Sequence, residues 1–283
     1  MAGSDTLAQV RLTPDDIPAA LALSDEAGWN QTADDWRLFI ERGNTIGVRE
    51  AKGKLVASAA ALPYEREFGF VAMVLVTAAW RRQGLATRLL NQCVDHLHKQ
   101  DMIPVLDATP AGAMVYRQQG FSDLFALQRW QSDGSTLPLQ DAARSIRKAR
   151  RADREAVIAM DASATGAARA AVIGDFMSRE GSQTFMSETG SGFLLVRRGR
   201  RACQIGPVVA AGSAEAAQLL AAALSAVNGP AFIDVPVIWT GLRRWLAERG
   251  FTIQRDFSRM ALGRHRPFGH PDRLFAVAGP EFG

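Results

Sequence analysis

Residues 74–87, Val74-Leu75-Val76-Thr77-Ala78-Ala79-Trp80-Arg81-Arg82-Gln83-Gly84-Leu85-Ala86-Thr87, carry the clearest chemistry in the sequence. An apolar run passes into a short loop with two arginines, and after Gly84 the pattern reads as the start of a helix. The first turn of a helix presents backbone N–H groups with no partner inside the helix, together with the positive end of its dipole. A diphosphate fits such a place. Gly84 removes a side chain where the anion must approach the backbone, and Ala86 keeps the next turn small. Arg81 and Arg82 add positive charge. The Lys-Ser/Thr pair of a Walker loop is absent, and a single glycine does not make a GxGxxG fingerprint.

Other reactive residue types are sparse. Two cysteines, Cys93 and Cys203, are too few for a disulfide framework or a Cys-rich zinc site. Cys93 falls inside the expected helix Gly84–Gln100 and reads as a small hydrophobe, since no histidine is placed by sequence to activate it. His96, His98, His265 and His270 form no HExxH pair, so no metal is expected. The stretch Arg144–Arg154 holds six cations and one acid. Without interleaved aromatics it reads as a solvated face beside a linker, and no nucleic-acid partner is expected.

The elements that must position these residues can be read from the pattern. The chain has 283 residues, 47% hydrophobic and 22% charged, with a formal net charge of +4. That composition excludes a disordered chain and allows one large domain or two small ones. No apolar run reaches the ~18 residues of a membrane span, and no basic start leads into an apolar block. A cytoplasmic protein with no membrane partner is expected. Val10–Leu12 reads as a strand, and Thr13-Pro14-Asp15-Asp16 as a capped helix start. A helix over Thr32–Arg42 follows, then strands over Thr45–Arg49, Leu55–Leu62 and the strongly apolar Phe68–Val76. After the helix to about Gln100 come a buried strand, Ile103–Ala108, and a short helix from Thr109-Pro110 to Gly120. Phe121–Trp130 reads as a hairpin-like pair of strands, and Gln131–Thr136 as a linker.

Beyond the linker the pattern starts again. Ile146–Lys148 is a strand, Arg151-Ala152-Asp153 opens a helix, and Phe193–Arg197 and Cys203–Ala210 are strands. Ala214–Val227 is a helix, Ala231–Val235 a strand, Leu242–Arg249 a helix, and Ser258–Leu262 a final strand. Gly120-Phe121 and Gly250-Phe251 each close a short helix that follows a buried strand, and Asp16 and Asp153 each sit at a first helix start. The two halves read as a diverged duplication of one mixed α/β unit.

At this point the sequence resembles the GCN5-related N-acetyltransferase superfamily, GNAT. Arg81-x-x-Gly84-x-Ala86 is similar to its pyrophosphate signature, preceded by Leu75-Val76 at the end of a central strand. Ala113-Met114-Val115-Tyr116-Arg117-Gln118-Gln119-Gly120-Phe121 is similar to its helix with a tyrosine four residues before Gly-Phe. The second half looks like a degenerate copy: Ile205–Ala210 stands at the central strand, the loop Ala211–Glu215 lacks the signature, and Leu246 stands where the tyrosine would be. The resemblance implies an α/β fold of α+β type with a mixed sheet, in two tandem GNAT-like acyl-CoA N-acyltransferase domains. Residues 1–134 would bind acetyl-CoA, 135–143 would be a linker, and 144–283 would close an acceptor pocket or form a homodimer.

The resemblance also implies roles. Val74, Leu75, Val76, Arg81, Arg82, Gln83, Gly84, Leu85, Ala86 and Thr87 would hold acetyl-CoA, with a backbone N–H near Leu75 or Val76 stabilising the oxyanion. Tyr116 would be the acid that protonates the departing thiolate. The acceptor is expected to be a small-molecule primary amine. The usual strand carboxylate is missing from Phe68–Val76, so Glu65, Glu67, Asp107 and Asp234 stand as candidate bases. Asn30, Glu67, Thr109, Arg169 and Asp234 are candidate acceptor contacts. Taken singly, Thr109 reads as a helix cap, Arg169 as a solvated arginine and Asp234 as a satisfied strand-end aspartate. A non-catalytic acyl-CoA-binding sensor is the alternative reading.

Overall fold

A computed structural model describes residues 7–65, 67–135 and 145–283. The expected linker, 135–143, lies outside the described residues except for Ser135. The chain forms two compact units: residues 1–63 with 68–104, and residues 64–67 with 105–283.

In the first unit, strands β1 (Ala8–Arg11), β2 (Asn44–Arg49), β3 (Leu55–Pro63) and β4 (Phe68–Val76) form an antiparallel sheet in that order. Helices α1 (Ile17–Glu26), α2 (Ala33–Arg42) and α3 (Leu85–His98) pack against it. Thr32 caps α2, its hydroxyl accepting from the Asp35 N–H while Asp35 accepts from the Thr32 N–H at 2.8 Å. Trp36 is fully buried on α2 and donates its indole N–H to Ser24 of α1 at 2.8 Å. The apolar stripe of α3 (Leu85, Leu89, Leu90, Cys93, Leu97) supplies the other side of this core.

The second unit holds the end of β5 (Ile103–Ala108), α4 (Pro110–Gln118) and β6 (Phe121–Ser132), then β7 (Ile146–Lys148), α5 (Arg154–Thr165), α6 (Ala170–Ser178), β8 (Gln183–Ser187), β9 (Phe193–Arg197) and β10 (Cys203–Val209). It continues through α7 (Ser213–Leu224), β11 (Ala231–Pro236), α8 (Thr240–Ala247), β12 (Thr252–Leu262) and β13 (Leu274–Ala276). Its strands run β5-β12-β6-β11-β10-β9-β8-β7, with β13 on β10. Among the described residues of this unit only the β10–β11 pair is parallel, so the sheet is mixed.

Apart from an added 3-10 turn at Ala78–Trp80 in the first repeat, the element order from β1 to β6 recurs from β7 to β12: strand, 3-10 turn, two helices, three strands, helix, strand, helix, strand. The likeness reaches single residues. Asp16 accepts from the Thr13 N–H at 2.7 Å, and Asp153 from the Arg150 N–H at 2.6 Å. Each then pairs with an arginine of a nearby strand, Arg49 or Arg147. Repeats and compact units divide the chain differently, because β12 of the second repeat lies between β5 and β6 of the first.

Some expectations need correction. Phe121–Ser132 is one long strand and not a hairpin: it contains no Gly, Pro or Asn, and β12 pairs along it from Phe121 to Gln131. Gln131 and Ser132, read as linker, belong to that strand. The final strand is longer than Ser258–Leu262 for the same reason. Helix α6 and strands β8 and β13 carried no periodic signal strong enough to be read.

Candidate functional site

The segment 74–87 is built on a kinked strand. Met73 and Val74 of β4 face the single residue Ala59 of β3, between the pairs Ser58–Leu75 and Ala60–Ala72. This two-for-one bulge bends the strand and re-aims its backbone groups. Met73 takes φ 55°, and its carbonyl oxygen accepts from the Ser58 hydroxyl at 2.8 Å. Among the described residues three non-glycine positions have positive φ: Met73, Arg82 and Asp101. Two of the three flank one loop, and strained backbone of this kind concentrates at functional sites.

After β4, Thr77 is buried and donates its N–H to the Val56 carbonyl at 2.9 Å. A 3-10 turn over Ala78–Trp80 follows, fixed by Glu26, which accepts from the Ala78 N–H at 2.7 Å. Arg81 donates its Nε–H to the Val76 carbonyl at 3.1 Å, so its guanidinium is tied to the strand end while remaining exposed. Gly84 is the N-cap of α3, at φ 77°. A Cβ built there meets no atom within 4 Å, so the glycine is required by its backbone angle and not by crowding.

Arg88 is the first residue whose N–H is satisfied by the helix, donating to the Gly84 carbonyl at 3.0 Å. Among the described residues nothing accepts from the N–H groups of residues 82–87. The first turn of α3 contains no acidic side chain. Gln83, Ala86 and Thr87 are exposed and Leu85 is buried in the core; Leu75 is buried, and Val74 and Val76 are half-buried. The structure therefore brings all ten of these residues into one strand–turn–helix segment with open amides, two cations and no competing carboxylate in the helix's first turn. That donor set fits a diphosphate.

The remaining candidates belong to the second unit, except Asn30. Thr109 caps α4, accepting from the Gly112 N–H at 3.3 Å. Tyr116 is half-buried on the last turn of α4, its ring 5.9 Å from that of Phe121. No described residue hydrogen-bonds its hydroxyl. Burial pushes the phenol above its usual pKa, which keeps the proton on it. Asn30 follows α1 and is buried at 6% exposure. Glu67 is largely exposed and lies 3.5 Å from Arg264.

Arg169 is not solvated. Its guanidinium is buried, held by both oxygens of Asp161 at 2.7 and 2.8 Å and by the Phe282 carbonyl at 2.6 Å. Asp234 is fully buried and accepts from Arg129 at 2.8 and 2.9 Å and from Gln204 at 2.9 Å. Asp107 is bound at both oxygens by Arg259, at 2.8 Å each. Burial pushes the Asp107 carboxyl up, opposed by that guanidinium. Cys93 is fully buried, and burial pushes its thiol up to about 12, so it holds no thiolate at neutral pH. The bulge at Met73 and the Glu26 anchor carry no sequence signal, whereas the distance from Thr109 to Gly112 was a readable cap.

Residues 15–121 match the acetyltransferase (GNAT) family, and residues 157–276 match the acetyltransferase (GNAT) domain. The chain is 23% identical over 247 residues to the uncharacterised N-acetyltransferase YitH of Bacillus subtilis (strain 168), covering 86% of each. It is 28% identical over 233 residues to the holothin acyltransferase of a Pseudoalteromonas species (strain SANK 73390), covering 81% of this chain and 78% of that one. The crystal structure of a putative acetyltransferase from Pyrococcus horikoshii shares the fold with a TM-score of 0.84 at 20% identity, over 98% of this chain and 96% of that one. No described helix is long and apolar enough to cross a membrane.

Proposed function

The chain belongs to the GCN5-related N-acetyltransferase superfamily as a tandem member, and from that premise we propose that it is an acetyl-CoA-dependent N-acetyltransferase acting on a small-molecule primary amine. The observation that carries the reading is the open helix start at Gly84, with its unpartnered amides and flanking arginines. Residues 82–87 would hold the diphosphate, Arg81 and Arg82 would neutralise it, and Val74–Val76 would lie along the pantetheine arm. Acetyl-CoA supplies the activated acyl group when bound.

The chain's own part is to place donors where negative charge develops. A backbone N–H at the kinked end of β4 lowers the barrier by stabilising an oxyanion, an effect worth about 10²–10³ in rate for one donor. Tyr116, protonated and without a competing hydrogen bond among the described residues, donates to the departing thiolate. The first repeat, residues 1–134, carries this chemistry. The second, 144–283, serves as scaffold and pocket wall. The names of the relatives support acyl transfer, in one case to nitrogen, as the class of reaction.

One observation favours the alternative of a non-catalytic acyl-CoA sensor: Asp107 and Asp234, two of the candidate bases, are both tied to arginines. A thiol-release assay with acetyl-CoA and a panel of small amines, amino acids and peptides separates the two. Amine-dependent thiol release supports the enzyme. Tight acetyl-CoA binding with no release from any amine supports the sensor.

A further inference from the structure

A basic cavity of about 1050 Å³ lies in the second unit, between the start of α5 and the junction of α6 with β8. Lys148, Arg150, Arg151 and Arg154 line it, with Glu155 as the one acid. None of these four cations forms an ion pair with a described residue, whereas the neighbouring Arg147 is held by Asp153 at 2.7 Å. Unpaired surface cations are ordinary, so the charge alone assigns nothing. Two further features do.

Arg154 is seated. A Cβ built on Gly174 would fall 2.0 Å from its Nη2, so the guanidinium lies against the backbone of α6. An alanine at 174 would displace the guanidinium from this position. Finally, the N–H groups of Arg151 and Ala152 donate to no described residue, while that of Arg150 is taken by Asp153. The equivalent turn of the first repeat, Pro14-Asp15-Asp16, carries acids and no cations, so this charge is not part of the shared fold.

We propose that this cavity binds a small polyanion of the phosphate or diphosphate class. Guanidinium groups and backbone amides are the donors that suit its oxygens. The lining contains no aromatic ring, so stacked nucleobases have no platform there.

The test is calorimetric titration of the full chain with inorganic pyrophosphate, in about 0.15 M salt, where diffuse charge attraction is screened. Saturating coenzyme A is present to occupy the helix start at Gly84. The expected result is one pyrophosphate per chain. Arg150→Ala with Arg154→Ala together should weaken it at least tenfold. Gly174→Ala, which changes no charge but displaces the Arg154 guanidinium, should weaken it about fivefold or more. The paired arginine variant removes exposed side chains and keeps the test valid if Gly174→Ala perturbs folding. Absence of saturable binding, or binding unchanged in the arginine variant, overturns the site. So does loss in the arginine variant with full affinity in a folded Gly174→Ala protein, which would reduce the effect to diffuse charge. Tighter binding of a single-stranded DNA 20-mer at the same arginines overturns the small-ligand assignment.

Discussion

The two repeats handle the same strand–helix junction in opposite ways. Both bulge their central strand: Met73-Val74 face Ala59 in the first, and Gly206-Pro207 face Leu195 in the second. After the first bulge, the N-terminal turn of α3 is left with open amides behind Gly84. After the second, an acid of α7 sits at the helix start, although the N–H groups of residues 212–215 likewise have no acceptor among the described residues. Glu215 accepts from the Ala211 N–H at 2.6 Å and from the Ser191 hydroxyl, so a carboxylate of the chain already occupies the anion position.

The second junction is also filled from the side. Strands β10 and β11 pair only from Cys203 to Ile205 and then part. Beyond that point β13 bonds to Val208 and Val209, and the Val277 N–H donates to the Asp234 carbonyl at 3.0 Å. Trp239 holds this plug by stacking on Phe275 at 4.0 Å and donating to the Leu274 carbonyl at 2.7 Å. At the helix that follows, Tyr116 of α4 is replaced by fully buried Leu246 of α8. The fold alone therefore does not make a cofactor site. On the proposed reading, a helix start without a carboxylate and a proton donor make it, and the second repeat has Glu215 and Leu246 in their places.

The largest effect that would break this comparison is expected at Tyr116. Tyr116→Phe should lower kcat by about 100-fold, the scale of a lost general acid, with acetyl-CoA affinity unchanged. Because burial raises its pKa, the alkaline limb of wild-type kcat should lie above the ~10 of an ordinary tyrosine, and Tyr116→Phe should abolish that limb. Equal turnover in the variant would remove the role.

Next is a matched pair of glycines. Gly84→Val forces a branched side chain into φ 77° and should weaken acetyl-CoA binding about tenfold or more. Gly212→Val, at an extended φ of −176° with no atom within 4 Å of its Cβ, should leave binding unchanged by calorimetry. Equal effects of the two would erase the distinction between the junctions.

The smallest effect concerns Glu215. Burial alone would raise the Glu215 carboxyl, but the Ala211 N–H and the serine hydroxyls bring it below its ordinary value. A carboxyl depressed in the folded state stabilises above its unfolded pKa of about 4.3 and loses that contribution as pH falls through the folded value. Glu215→Gln should thus cost about 1 kcal/mol at neutral pH and less as the pH drops, seen in urea unfolding. A pH-independent difference would argue against the cap.

Much of this was legible in the residues. The Phe68–Val76 strand has the bounds its apolar run implied, and Thr109 caps the helix it precedes. The echo of the first half in the second was visible in Gly-Phe pairs and first-turn aspartates. The bulge was not: every residue around Met73 is apolar, and side-chain pattern carries no record of a backbone slip. Nor were the partners of Asp107 and Asp234, which lie 152 and 105 residues away as Arg259 and Arg129. Strand β13, at three residues, was too short to show a period. Glu215 could have been found, since an acid three residues after Gly212, at a helix start, is a capping signal.

Amide hydrogen exchange with and without saturating acetyl-CoA reads both helix starts in one experiment. The amides of residues 82–87 should gain protection on binding, with those of 211–215 unchanged. Protection at 211–215, or none at 82–87 under conditions where the ligand is bound, would contradict it.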